Sequence, residues 1–267
     1  MAIWAAAPDR RRRRRAAVPF LGSGSSKCVI VDLQRDGFAR WGMSVERVQD
    51  LITSYGQIRE DRARGTRTSV DRHTSKPFFE PDLSPQDLQD YPVFLDTALD
   101  SELLQVIINA TGLVPHLEAV EVMVSNPVSA KLDASQLWHR DVNDSMILKL
   151  FIYLSDVGSE NGPLNFIPSG ASNRVPHMSH YNDDATIKKF VEADMWRQIE
   201  GPAGTAFIID THNCLHCGSR CQKQRVAYIA TYSSGLKFMH QAQAWGSILG
   251  KRVGHLNALQ KRVLDLE

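Results

Sequence analysis

Trp138-His139-Arg140-Asp141 stands just ahead of an apolar run, Met146-Ile147-Leu148-Lys149-Leu150-Phe151-Ile152-Tyr153-Leu154, that ends at Ser155-Asp156. The run is rich in β-formers and predicts a strand. Asn161-Gly162-Pro163 then marks a turn, Leu164 to Ile167 a short strand, and Pro168-Ser169-Gly170 another turn. Farther on, the strand-like Gly204 to Ile209 leads into Thr211-His212-Asn213-Cys214-Leu215-His216-Cys217-Gly218. The next strand runs from Arg225 to Ser233, with Arg225, Ala227, Ile229 and Thr231 on one face by period two. Upstream, Glu118 to Val124 reads as a strand entering the core. Many short strands between Gly and Pro turns predict a mainly β chain, an antiparallel sandwich or jelly roll.

His139 and Asp141 project to the same side of an extended chain and can reach one ion. A remote imidazole, either His212 or His216, would complete a two-histidine, one-carboxylate set. Such a set leaves coordination positions open and is the usual arrangement of non-heme iron(II) oxygenases. The competing reading is a zinc site at Cys214, Cys217 and Cys221 with the two histidines. Structural zinc commonly takes four ligands from two separated pairs. Here every candidate falls in one short segment and Cys28 stands alone, so zinc is disfavoured.

In their order along the chain, His139-x-Asp141, Leu150 to Val157, Asn161-Gly162-Pro163-Leu164, Ile167-Pro168, His216-x-Gly218 and Arg225 resemble the phytanoyl-CoA dioxygenase (PhyH-like) family. The likeness covers residues 117–235. It implies a double-stranded β-helix (jelly roll, cupin-like) and a dioxygenase dependent on Fe(2+) and 2-oxoglutarate. His139, Asp141 and His216 would hold the iron, and Arg225 would clamp the distal carboxylate of 2-oxoglutarate through its planar fork of donors. The reaction implied consumes O2, releases succinate and CO2, and hydroxylates an unactivated C–H bond of a small molecule. Related halogenases lack the carboxylate, so Asp141 favours hydroxylation. Two features depart from the family: Pro168-Ser169-Gly170-Ala171-Ser172 replaces its Pro-Gly-Ser-His, and the cysteines around His216 lie outside its pattern. Gln136, Trp138 and Lys149 are further candidates for contact with cofactor or substrate. Lys149 shares a face with Phe151 and Tyr153, where it would bind an acidic group or extend its stem over apolar neighbours.

The formal net charge is +1, but six of the 31 basic residues form the run Arg10 to Arg15. Without that run 25 basic residues face 30 acidic ones, and a mildly acidic body predicts no nucleic-acid surface. No apolar run approaches the roughly 18 residues of a membrane span. Four cysteines make no disulfide framework, so a reducing, cytoplasmic setting is expected. The expected organisation is a disordered Arg-rich tail (1–27) and a single oxygenase domain (28–267). That domain would comprise a helical part (28–116), the β-helix (117–235) with a helical insertion (173–203), and a helical tail (236–267). Cys28 to Leu33 reads as an opening strand. Residues 57–77, rich in Arg and Lys, read as a loop, either a solvated charged surface or a flexible flap whose basic groups would meet an anionic substrate. The insertion reads as a helix through Ile187, Phe190, Val191, Met195 and Ile199, placed to roof the metal pocket. Two other functions stay open: a catalytically silent jelly-roll binding protein, and an oxygenase acting on a macromolecule.

Overall fold

A computed structural model describes residues 7–22, 26–70, 78–127, 131–176, 180–235 and 243–266. Helices predominate first: α1 (Ala7–Ala17), α2 (Lys27–Asp36), α3 (Val45–Ala63), α4 (Pro85–Asp90), α5 (Val93–Ala98) and α6 (Ser101–Thr111). Among them lie two short strands, β1 (Phe38–Trp41) and β2 (Phe79–Pro81). The strands β3 (His116–Ser125), β4 (Ile147–Tyr153), β5 (Leu164–Phe166), β6 (Arg197–Ile199), β7 (Ala206–Asp210), β8 (His216–Cys217) and β9 (Arg225–Ser233) follow. One-turn helices α7 (Ser169–Ser172) and α8 (Asp184–Ile187) interrupt them, and α9 (Trp245–Leu249) and α10 (Ala258–Val263) come last. Antiparallel pairing gives a six-stranded sheet, β1-β7-β4-β9-β3-β2, and a three-stranded sheet, β6-β5-β8. Mainly β with flanking helices, the two sheets make the expected jelly roll.

Strand alternation sorts the apolar residues into two cores. On β9, Val226, Tyr228, Ala230 and Tyr232 face the helices, while Ala227 and Ile229 face the space between the sheets. Likewise on β4, Leu148, Leu150 and Ile152 point one way and Phe151 and Tyr153 the other. The helices meet the outer face with Leu51, Tyr55 and Ile58 of α3 and Leu103, Leu104, Ile107 and Ile108 of α6. Two tyrosines fix this layer: Tyr228 and Tyr232 donate to the carbonyls of Phe94 and Ala98, each at 2.7 Å. Ala98 ends α5, so its carbonyl lacks a partner within the helix. With helices covering one face, the other face of the large sheet is left for a site.

Four expectations are corrected here. The Arg-rich segment is helical as α1, because Arg13 turns inward and donates to the carbonyls of Val114 and Pro115 and pairs with Asp265. Cys28 to Leu33 is helical within α2, where Val29, Ile30 and Leu33 form an apolar stripe and Gly37 (φ 71°) caps the C-terminus. The basic loop begins later than residue 57, because Leu51, Tyr55 and Ile58 carry α3 on to Ala63; its 71–77 portion lies outside the described residues. The insertion is not one helix. After α8 it forms a 3-10 turn at Ala193–Met195 and then β6, whose Ile199 pairs with Leu164 of β5. Within the predicted tail and insertion, residues 1–6, 23–25 and 177–179 are also outside the description, as are 236–242 and 267 of the C-terminal tail.

Candidate functional site

A single antiparallel bridge builds the centre. The His139 N–H donates to the His216 carbonyl and the His216 N–H to that of His139, both at 3.0 Å. Directly opposed residues of such a pair carry side chains on the same face, and the two imidazoles sit with centroids 4.3 Å apart. Asp141 follows two residues on. Its N–H donates to Thr211 O at 2.9 Å, and its carbonyl accepts from His212 Nδ1 at 3.1 Å. The backbone of Asp141 is thus held from both sides. One ligand atom each from His139, Asp141 and His216 lies within 4.8 Å of the others.

The hydrogen bonds determine which ring atoms face the centre. His139 Nδ1 lies 2.9 Å from Leu137 O, and His216 Nδ1 lies 3.1 Å from Cys214 O. A carbonyl only accepts, so each Nδ1 carries the proton and each Nε2 keeps its lone pair. Burial, with the neighbouring His216, holds the His139 imidazole down to about 3. Burial lowers His216 as well. Burial alone would raise the Asp141 carboxyl, but Lys149 and the two histidines outweigh it and keep it well below the usual carboxylate range. Two neutral imidazoles and one carboxylate therefore converge at neutral pH, with no proton to displace before a cation binds.

Lys149 projects from the inner face of β4 as expected, but what it meets is Asp141: its Nζ lies 2.7 Å from Oδ2. The other oxygen, Oδ1, lies 3.8 Å from His139 Nε2. The ammonium occupies one carboxylate oxygen and turns the other toward the imidazoles.

Arg225 is 3% exposed at the start of β9. It donates to Gly162 O, Ser125 Oγ and Ser219 Oγ. Its Nε is buried without a hydrogen-bond partner, and no carboxylate pairs with it among the described residues. A buried guanidinium surrounded by neutral acceptors attracts an anion, because buried charges are stabilised by pairing. Gly218, two residues past His216, lies against this guanidinium, so the histidine and the arginine share one wall. Gly162 is required here. At φ 59° it brings its carbonyl to Arg225, and a Cβ would sit 2.7 Å from the Arg220 nitrogen.

The remaining candidates have other duties. The Gln136 carboxamide caps its own turn by accepting from Asp133 N and donates to Ser219 O. Trp138 donates from Nε1 to Asp184 and packs on Trp196. Cys214 donates to Asp36 O and packs against Gly37, while Cys221 donates to Asn161 O. Burial pushes the Cys214 and Cys217 thiols up, Cys217 to about 12, so neither offers the thiolate a metal takes. Three features were not anticipated. Ser125 and Ser219 hold the guanidinium. Tyr181 of the insertion brings its ring to 5.5 Å from that of His139. A cavity of about 370 Å³ opens beside Asp141 and Lys149, bordered by Glu118, Glu121, Asp144 and Thr231. The one signal for the cavity lies in strand parity, which sets Ala119, Glu121 and Met123 on a common face of β3.

No protein-family model matches this chain, and no curated protein matches it by sequence. Solved structures do resemble it. The non-heme alpha ketoglutarate dependent epimerase SnoN from nogalamycin biosynthesis aligns over 82% of this chain and 89% of its own, at TM-score 0.55 and 15% identity. EctD from S. alaskensis with bound Fe aligns over 79% and 78%, at TM-score 0.57 and 17% identity. AviO1 from Streptomyces viridochromogenes Tue57 aligns over 83% and 99%, at TM-score 0.54 and 17% identity. The fold is theirs. At this identity the likeness establishes the jelly roll, and membership of the PhyH-like family is not shown.

Proposed function

We propose that the chain is a non-heme iron(II) and 2-oxoglutarate-dependent dioxygenase acting on a small molecule. One observation carries the reading: the ligand atoms of His139, Asp141 and His216 converge with both Nδ1 protons tied to backbone carbonyls. This donor set suits iron(II) and keeps open positions for other ligands. The orphaned Nε of buried Arg225 supports a site for the distal carboxylate of 2-oxoglutarate, of which SnoN and EctD have both been crystallised with the compound. Bound there, the iron and 2-oxoglutarate would activate O2 for oxidation of a substrate C–H bond, with succinate and CO2 as by-products.

The chain's own contribution is orientation and exclusion. The Leu137 and Cys214 carbonyls fix the ring tautomers, and Lys149 on Oδ2 would leave Asp141 Oδ1 to help hold the metal. Arg225 receives a carboxylate at a depth where water does not compete. Tyr181 covers the His139 side. Hydroxylation is the outcome favoured by an intact carboxylate ligand. The test is anaerobic addition of iron(II) and 2-oxoglutarate to wild type and His216→Ala, read by the metal-to-ligand charge-transfer band. A band in wild type that the variant lacks, with succinate formed on admitting air, is the expected result. No band in wild type would overturn the reading and favour a silent binding protein.

A further inference from the structure

The expectation of an anionic substrate rests on the basic segment 57–77, and three of the four arginines in its described part, Arg62, Arg64 and Arg67, are already paired with acids. Arg62 pairs with Asp82 and Asp87, and Arg67 with Asp87 and Asp90. None of these residues borders the cavity beside Asp141. The cavity wall has the opposite sign. Glu118, Glu121, Asp141 and Asp144 line it, and Lys149 is its one basic group among the described residues.

The details sharpen the contrast. Lys149 is engaged by Asp141 at 2.7 Å. Glu118 accepts from the neutral hydroxyl of Ser233. Among the described residues Glu121 makes neither a side-chain hydrogen bond nor an ion pair, although it lies on the inner face of β3. Burial raises its carboxyl, with Lys149 opposing, which is the mark of an acid lacking a close counter-charge. In the loaded site, the charges of iron(II) and dianionic 2-oxoglutarate would cancel, as would those of Asp141 and Lys149. Glu118 and Glu121 form no ion pair with a basic group among the described residues, which leaves the cavity negative.

We infer that the substrate carries a cationic nitrogen group, received in this cavity by Glu121 with Glu118 beside it, while the carbon to be oxidised faces the metal. The inference rests on the oxygenase reading for its second half only. A volume of about 370 Å³ suits a small molecule. A cation would give Glu121 the counter-charge it lacks, and an anionic substrate would meet uncompensated repulsion.

The experiment compares n-hexylammonium, hexanoate and 1-hexanol, probes of matched size, by calorimetry on the metal-free protein and on the anaerobic iron(II)–2-oxoglutarate form. The charge-transfer band is recorded in the same samples. The expected result is hexylammonium binding at least tenfold tighter than hexanoate, a preference abolished in Glu121→Gln and reduced in Glu118→Gln. Equal or tighter binding of hexanoate would overturn the inference. So would a preference that survives Glu121→Gln, or a failure of hexylammonium to register at all. A Glu121-dependent preference without the band would sink the oxygenase reading and leave the cavity's selectivity standing.

Discussion

At one end of the inner face of β9, Arg225 is sealed among the neutral oxygens of Gly162, Ser125 and Ser219. At the other end of the same face, Thr231 and Ser233 border an open cavity with Glu118, Glu121 and Asp144. The side chains of Arg225, Ala227, Ile229, Thr231 and Ser233 follow one alternation along β9, although β3 opposite shifts register between Leu117 and Ala119 at the cavity end. What differs is the partner set, which leaves a buried cation without an anion at one end and acids in excess at the other. Asp141 borders the acidic end, and Gly218, two residues past His216, lies against the guanidinium at the other. Under the proposed reading a co-substrate and a substrate would be sorted by charge before shape enters, because each end repels what the other attracts.

The largest effect should come from removing the point at which the ends meet. Asp141→Ala or His216→Ala should weaken iron(II) binding by more than the roughly 100-fold that loss of an outer partner brings, measured by anaerobic calorimetry. Tight binding retained in both variants would break the comparison at its centre. Arg225→Met should cost 2-oxoglutarate affinity on the order of a hundredfold, as for truncating one side of a buried charge contact, while hexylammonium binding stays as in wild type. If both ligands weaken together, the two ends are one site.

Lys149→Met sharpens the comparison from the middle. Without the ammonium on Oδ2, Asp141 loses its fixed orientation, and iron(II) affinity should fall about 10- to 100-fold, the range for outer-shell partners. Lys149→Arg should restore part of it. Unchanged affinity in Lys149→Met would show that the ion pair does not orient the ligand.

A separate effect, on stability rather than on ligand affinity, is the pH response of the metal-free protein. The folded His139 imidazole titrates at about 3, below the ordinary value near 6.5 that the unfolded chain shows. Below pH 6.5 the unfolded chain binds a proton that the folded ring refuses, so stability must fall as pH drops from 6.5 toward 3. Thermal melts should therefore decline over that window, less steeply in His139→Gln. Equal slopes would show that burial does not hold His139 neutral.

Much of this was readable before any coordinates. The strands β3, β4, β7 and β9 announce themselves because apolar and turn residues alternate at strand spacing, and His139-x-Asp141 follows from the same geometry. Choosing between His212 and His216 needed more than spacing, since both follow β7 closely; the structure turns His212 to the Asp141 backbone and His216 to the centre. Helix α2 was missed because its stripe is short and its β-branched residues favour a strand, with the decisive stop at Gly37 just beyond. In α1 five exposed or half-exposed arginines conceal the one that is buried, and only a distant partner reveals it. Glu121 was hidden differently. A carboxylate in a strand reads as solvent-facing, and nothing local says that this face looks inward.

Arg13 and Asp265, joined in one partly buried ion pair, stand 252 positions apart. At about 5–20 residues per second of synthesis, roughly 13 to 50 seconds separate the appearance of the two partners on the ribosome. Through that interval α1 cannot take up its final place against the carbonyls of Val114 and Pro115 with its counter-charge present. His116, whose Nδ1 lies 3.1 Å from the same carboxylate, opens β3, so Asp265 also sits against the first residue of the strand that carries Glu118 and Glu121. Both contacts of Asp265, with Arg13 and with His116, therefore form only once the C-terminal turn has been made.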